Sequence, residues 1–150
     1  MKLAEALQER ADINRRIDQL RYRLSRNATV QEGEQPAEDP NELIKELDSC
    51  IDRLEFLMAH INKTNSLTYV EGKNLTELIA KRDSLTTKLA VYRNFLNEAS
   101  NLSGRATRNE IKILSTVNVR KLQKQVDDMS RDLRVTDNAL QQANWTVELI

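Results

Sequence analysis

The chain has 150 residues, of which 31% are charged, 39% hydrophobic and only 4% aromatic, with three glycines and two prolines; this composition belongs to long helices, not to a sheet protein. Its 23 basic and 23 acidic side chains cancel, which excludes a whole-molecule field favouring nucleic acid, an anionic membrane or an acidic substrate. Cys50 is the sole cysteine, which excludes an intrachain disulfide and any paired-cysteine metal or redox motif.

The chain opens MKLAEALQERAD, amphipathic and acidic, without the apolar core of a secretory signal. No apolar run approaches membrane-spanning length, so a cytoplasmic protein is expected. A first helix is predicted over about 2–26 from Leu3, Ala6, Leu7, Ile13, Ile17, Leu20 and Leu24, spaced three or four apart. Arg10 falls where this repeat asks for an apolar residue, either with its stem buried at the stripe's edge or as part of a polar layer fixing register. Arg15, Arg16, Arg23 and Arg26 are read as a solvated face opposite the stripe; no nucleic-acid partner is expected from them, because Asp12 and Gln19 share that side.

The first connection contains Gln31-Glu-Gly-Glu-Gln-Pro-Ala-Glu-Asp-Pro40, with four carboxylates. Asp39 suits an N-cap, Pro40 the first helical position and Glu42 the third, where it can reach back to the cap, so these three form a structural cap. Glu32, Glu34 and Glu38 remain as partner- or ligand-binding candidates. The stretch lacks the frame of a calcium loop, and a proline-punctuated connector does not hold two acids across a cleft as a glycosidase does.

A second helix is predicted over about 40–65 from the stripe Leu43, Leu47, Cys50, Ile51, Leu54, Leu57, Met58 and Ile61. His60, the sole histidine, lies near its end, where the negative helix dipole favours it; with no second histidine beside it, no metal site is expected. A third helix is predicted over about 75–102 from Leu75, Leu78, Leu85, Leu89, Tyr92, Leu96 and Ala99. Arg82 interrupts that stripe within reach of Asp83 or Asp137.

The third connection carries Arg105 and Arg108, which are grouped with the acids as binding candidates. Apolar residues at 111, 113, 117 and 119 then alternate with polar ones, which predicts a strand needing a partner. A fourth helix is predicted over about 119–147 from Val119, Leu122, Val126, Met129, Leu133, Leu140, Ala143 and Val147, with Thr136 at an apolar position. Beyond it, Trp145, Val147 and Leu149 are expected to dock on the bundle or on a second subunit. Five Asn-X-Ser/Thr sequons, at Asn27, Asn62, Asn74, Asn101 and Asn144, are read as helix-end hydrogen-bonding chemistry.

The fold expected is therefore all-α: one domain, residues 1–150, forming an antiparallel four-helix, coiled-coil-like bundle. A small β-like cap is expected where the first and third connections meet at one end. No phosphate loop, dinucleotide fingerprint, metalloprotease motif or nucleophile elbow is present, and no catalytic residue or cofactor is assigned.

The stretches RNATVQEGEQPAEDPNEL, LQKQVDD and NWTVEL resemble a small bacterial family of uncharacterised helical proteins that carries the label septicolysin. The resemblance implies a compact helical protein in which the acidic connection recurs, and no activity that transfers to these residues. The label implies cytolysis, yet a helix-inserting pore former needs long apolar segments that are not visible here. The preferred reading is a non-enzymatic, self-associating interaction or scaffold protein, a homo-oligomer with a possible further protein partner. The alternative is a ligand- or metal-binding protein, hydrolytic in one version, using residues 31–40. Membrane lysis comes third.

Overall fold

The computed structural model describes residues 1–102 and 111–150. The chain is all-α, with four helices among the described residues: α1 Leu3–Arg26, α2 Pro40–Leu67, α3 Leu75–Ser100 and α4 Val119–Thr146. Its sheet is a two-stranded pair, β1 Tyr69–Val70 and β2 Lys73–Asn74. Two compact units divide the chain, the first comprising residues 1–69 and 143–150, the second residues 70–142.

Polar residues set the helix starts. The Asp39 carboxylate accepts from the Asn41 amide at 3.0 Å, with Pro40 in the first turn of α2. At α3, Asn74 Oδ1 accepts from the Glu77 amide at 2.9 Å while the Glu77 carboxylate accepts from the Asn74 amide at 2.8 Å, a reciprocal capping box. Asn118 Oδ1 accepts from the Lys121 amide at 3.1 Å and opens α4. Between β1 and β2, Glu71 and Gly72 take φ of 50° and 85°, the two left-handed positions that match hairpin twist in a two-residue turn.

The first unit is an antiparallel α1/α2 hairpin joined by the chain's last residues. Leu3, Ala6, Leu20, Leu43, Leu57, Ile61 and Ala143 form its buried apolar set. Three ion pairs run beside that seam: Glu9 with Arg53 at 2.6 Å, Arg16 with Glu46 at 2.6 Å and Arg23 with Glu38 at 2.5 Å. On α1 these residues stand seven apart, and each pair of residue numbers sums to 61 or 62, as antiparallel helices in fixed register require. Burying one leucine contributes roughly 1.5–3 kcal/mol, whereas a half-exposed ion pair contributes about 0–1. The leucines therefore hold the hairpin and the charges select its register.

Arg16 is exposed and Arg23 half-exposed, as expected of a solvated face, but they do not stand opposite the stripe. They border it, and their long arms reach α2 carboxylates.

The second unit is packed mainly by Leu89 and Leu96 of α3 against Leu122 and Val126 of α4, with Tyr92, Met129 and Leu133 around them. Lys81 pairs with Asp132 at 3.0 Å, and Arg93 donates to Ser130 Oγ at 3.0 Å. Arg82, the interruption of the α3 stripe, lies 3.1 Å from Asp83 and 3.9 Å from Asp137.

The sheet is not where the alternating pattern placed it. It occupies the second connection, and residues 111–118 have no strand pairing among the described residues before α4 begins at Val119. Alternation alone does not make a strand. The Glu71-Gly72 turn gives β1 and β2 each other as partners, whereas residues 111–118 meet no paired strand among the described residues.

Candidate interaction surface

The acidic connection begins at the end of α1. Asn27 is buried at 8% exposure; its Nδ2 donates to the Arg23 carbonyl at 2.9 Å and its Oδ1 accepts from the Glu38 amide at 3.0 Å, fastening the connection to the helix end. Gln31 to Glu34 form a turn closed by the Glu34 amide donating to the Gln31 carbonyl at 3.0 Å. Gly33 occupies its third position with φ 87°, where a side chain would be strained. Glu32 and Glu34 are exposed on this turn.

Glu38 points elsewhere and accepts from Arg23 Nε and its terminal nitrogen. Those hydrogen bonds hold the Glu38 carboxyl below the usual carboxylate range and raise the Arg23 guanidinium in return. Glu42 does not reach back to the cap; it pairs with Lys45 at 2.9 Å. Arg105 and Arg108 lie outside the described residues. Among the described residues, no group of three or more histidine, cysteine, aspartate or glutamate side chains is placed to hold a metal ion. The connection thus separates into a fastened half, Asn27 with Glu38 and Asp39, and an exposed turn carrying Glu32 and Glu34.

The last residues are secured by backbone pairing. Lys2 and Glu148 form an antiparallel bridge, the Leu3 amide donates to the Val147 carbonyl at 2.9 Å and the Leu149 amide to the Met1 carbonyl at 2.9 Å. The Ile150 amide donates to Thr64 Oγ1 at 2.9 Å, and His60 Nδ1 lies 2.5 Å from the Ile150 oxygen while its ring stacks 4.0 Å from Phe56. Hydrogen bonds from Lys2 and from the Met1 amino group hold Glu148 below its ordinary range. Val147 and Leu149 are half-buried; Trp145 is 62% exposed.

A feature the sequence stripe concealed lies on α2. Leu43, Leu57, Ile61 and Thr64 are buried, yet Ile44, Ile51 and Met58 are exposed at 45%, 44% and 47%. They are seven residues apart, a row roughly 150° around the helix from the ion-paired edge, with half-buried Leu47 and Leu54 beside it. α2 is therefore apolar on two faces. Asp48, Asp52 and Glu55 line the far side of the row, all exposed, and none of them makes an ion pair among the described residues. The signal was present: Ile44 extends the Ile51 and Met58 positions back by one heptad, a second repeat offset by one residue from Leu43, Cys50 and Leu57.

On the second unit, Tyr92, Phe95, Val117 and Leu122 line a surface groove of about 430 Å³ with Lys121 and Gln125 on its rim. Arg120, Lys121, Lys124, Arg131 and Arg134 of α4 are exposed and unpaired among the described residues. The balanced total charge conceals a division. Residues 1–69 and 143–150 carry 10 basic and 14 acidic side chains, net −4; residues 70–142 carry 13 and 9, net +4.

These features define a helical protein with an exposed, acid-flanked apolar row on a helix already packed on its other side. The chain belongs to the family of unknown function DUF6847, whose model matches residues 10–149. It is similar in structure to a functionally unknown conserved protein from Corynebacterium diphtheriae, solved by crystallography, with 37% identity and a TM-score of 0.89 over 100% of this chain and 99% of that one. No curated protein matches the chain.

Proposed function

We propose that this chain is a non-enzymatic, self-associating helical interaction or scaffold protein. The two-faced apolar character of α2 carries the reading: one face covers α1, and the other leaves Ile44, Ile51 and Met58 nearly half exposed at heptad spacing. A heptad row is a seam, and its apolar side chains gain stability by meeting another row or groove. The acidic connection supports the same reading, because Glu38 and Asp39 are engaged in fastening the helices and only Glu32 and Glu34 are left facing water. Its partners are protein, in the cytoplasm.

Light scattering on the purified chain is expected to give a mass above the monomer at tens of micromolar. A monomeric mass across that range contradicts the proposal.

Lysis, which the septicolysin label implies, has its own test. Among the described residues no helix is long and apolar enough to cross a membrane, and dye release from liposomes incubated with purified protein is expected to stay at background.

A further inference from the structure

Self-association leaves open which surface meets which, and the charges divide the surfaces into complementary kinds. The α2 row presents apolar side chains from Ile44 to Met58, about 21 Å at 1.5 Å per residue, flanked by the unpaired carboxylates Asp48, Asp52 and Glu55. A symmetric meeting of two such rows through Ile51 would set Asp48 and Glu55 of one copy against Glu55 and Asp48 of the other, like charge against like. The second unit offers the opposite combination, an apolar groove of Tyr92, Phe95, Val117 and Leu122 with Lys121 on its rim. Lys121 lines that groove, and Lys124, also exposed and unpaired among the described residues, stands three residues along α4 and about 60° around it.

We infer that the Ile44–Ile51–Met58 row of one copy docks on the groove of the second unit of another copy, with Asp48, Asp52 and Glu55 facing Lys121 and Lys124. This rests on the self-association proposed above and names its surfaces. The contact is heterologous at each patch, so it either closes in reciprocal pairs or propagates from copy to copy. It also explains why a neutral chain carries −4 and +4 in its two units: the field between copies steers unlike units together and unlike rows into register.

Sedimentation of wild type, Ile51→Glu, the acid-reversed variant Asp48→Lys/Glu55→Lys and the base-reversed variant Lys121→Glu/Lys124→Glu tests it. All of these positions are exposed, Ile51 at 44%, so circular dichroism of each variant is expected to match wild type. Ile51→Glu is expected to weaken association at least tenfold, and each charge reversal alone to weaken it similarly. Mixing the two reversed chains is expected to restore association between them, and raising salt to weaken the wild-type assembly. A wild type that is monomeric removes self-association itself. A wild-type assembly untouched by Ile51→Glu leaves self-association standing and overturns this surface. Loss with Ile51→Glu, but no response to charge reversal, mixing or salt, overturns the basic unit as the partner in favour of row meeting row.

Discussion

The two units use helices of similar length, 24 to 28 residues, and different means of holding them together. In the α1/α2 hairpin, three ion pairs at heptad spacing run beside the buried leucines, so apolar burial supplies stability and charge supplies register. In the second unit, Leu89, Leu96, Leu122 and Val126 interlock with, among the described residues, one close ion pair between the helices, Lys81 with Asp132, and the wider Arg82–Asp137 approach. The difference teaches that a helix pair can be placed by its polar border or by its apolar shape. Where charges are spent inside one unit, as at Glu9, Arg16 and Arg23, they are lost to partners; Asp48, Asp52, Glu55 and the α4 bases are not so engaged among the described residues.

The largest effects should be shared by both units. Leu57→Ala in the first and Leu89→Ala in the second each remove a side chain that is 0% or 3% exposed, and each is expected to cost about 3 kcal/mol of stability in urea melts. A cost under about 1 kcal/mol at Leu57 would mean that charge, and not apolar burial, holds the hairpin.

A smaller effect separates the units. Asn27→Ala removes a side-chain donor to the Arg23 carbonyl, which keeps the Asn27 backbone amide at 3.2 Å, and the acceptor of the Glu38 amide, leaving that amide unpaired at about 1–2 kcal/mol. Amide exchange is expected to rise at the end of α1 and the start of α2, with no change in α3. Uniform acceleration through α3 as well would break the distinction between the two units.

The smallest effect is electrostatic. Hydrogen bonds from Arg53, Arg23 and Lys2 hold Glu9, Glu38 and Glu148 below the usual carboxylate range. Groups that titrate lower in the folded chain stabilise it when ionised. That contribution is complete above the unfolded carboxylate value of about 4.3 and is lost as pH falls through the folded values. All three lie in the first unit, so acid should loosen α1 before α3. Glu9→Gln/Glu38→Gln is expected to flatten that dependence, read from amide exchange at neutral and at strongly acidic pH. Equal acid sensitivity in α3 would remove the contrast.

Much of the fold was legible because helices repeat their apolar residues every three or four positions. The lists that run through Leu43 and Leu57, or Leu89 and Leu96, trace buried faces directly. Asp39 and Pro40 were legible for a different reason, since a helix start is local chemistry within four residues. The ion-pair ladder was not. Glu9, Arg16 and Arg23 are visible at heptad spacing on α1, but their partners depend on the hairpin's register, which a neighbouring chain segment sets. The strand expected around Ile111 failed in the opposite direction, because a period-two pattern says which face a strand would bury and nothing about whether a partner is there. The exposed row on α2 is hidden in the sequence because Ile51 and Met58 share the three-four spacing of Leu43 and Leu57 while lying about 100° around the helix from them.

The central claim is that the second face of α2 is an interface between copies. Sedimentation equilibrium of wild type beside Ile51→Glu, at matched concentrations of tens of micromolar, tests it most directly. The account predicts an assembly for wild type and a monomer mass for the folded variant. Two identical masses, whether both monomer or both assembled, would contradict it.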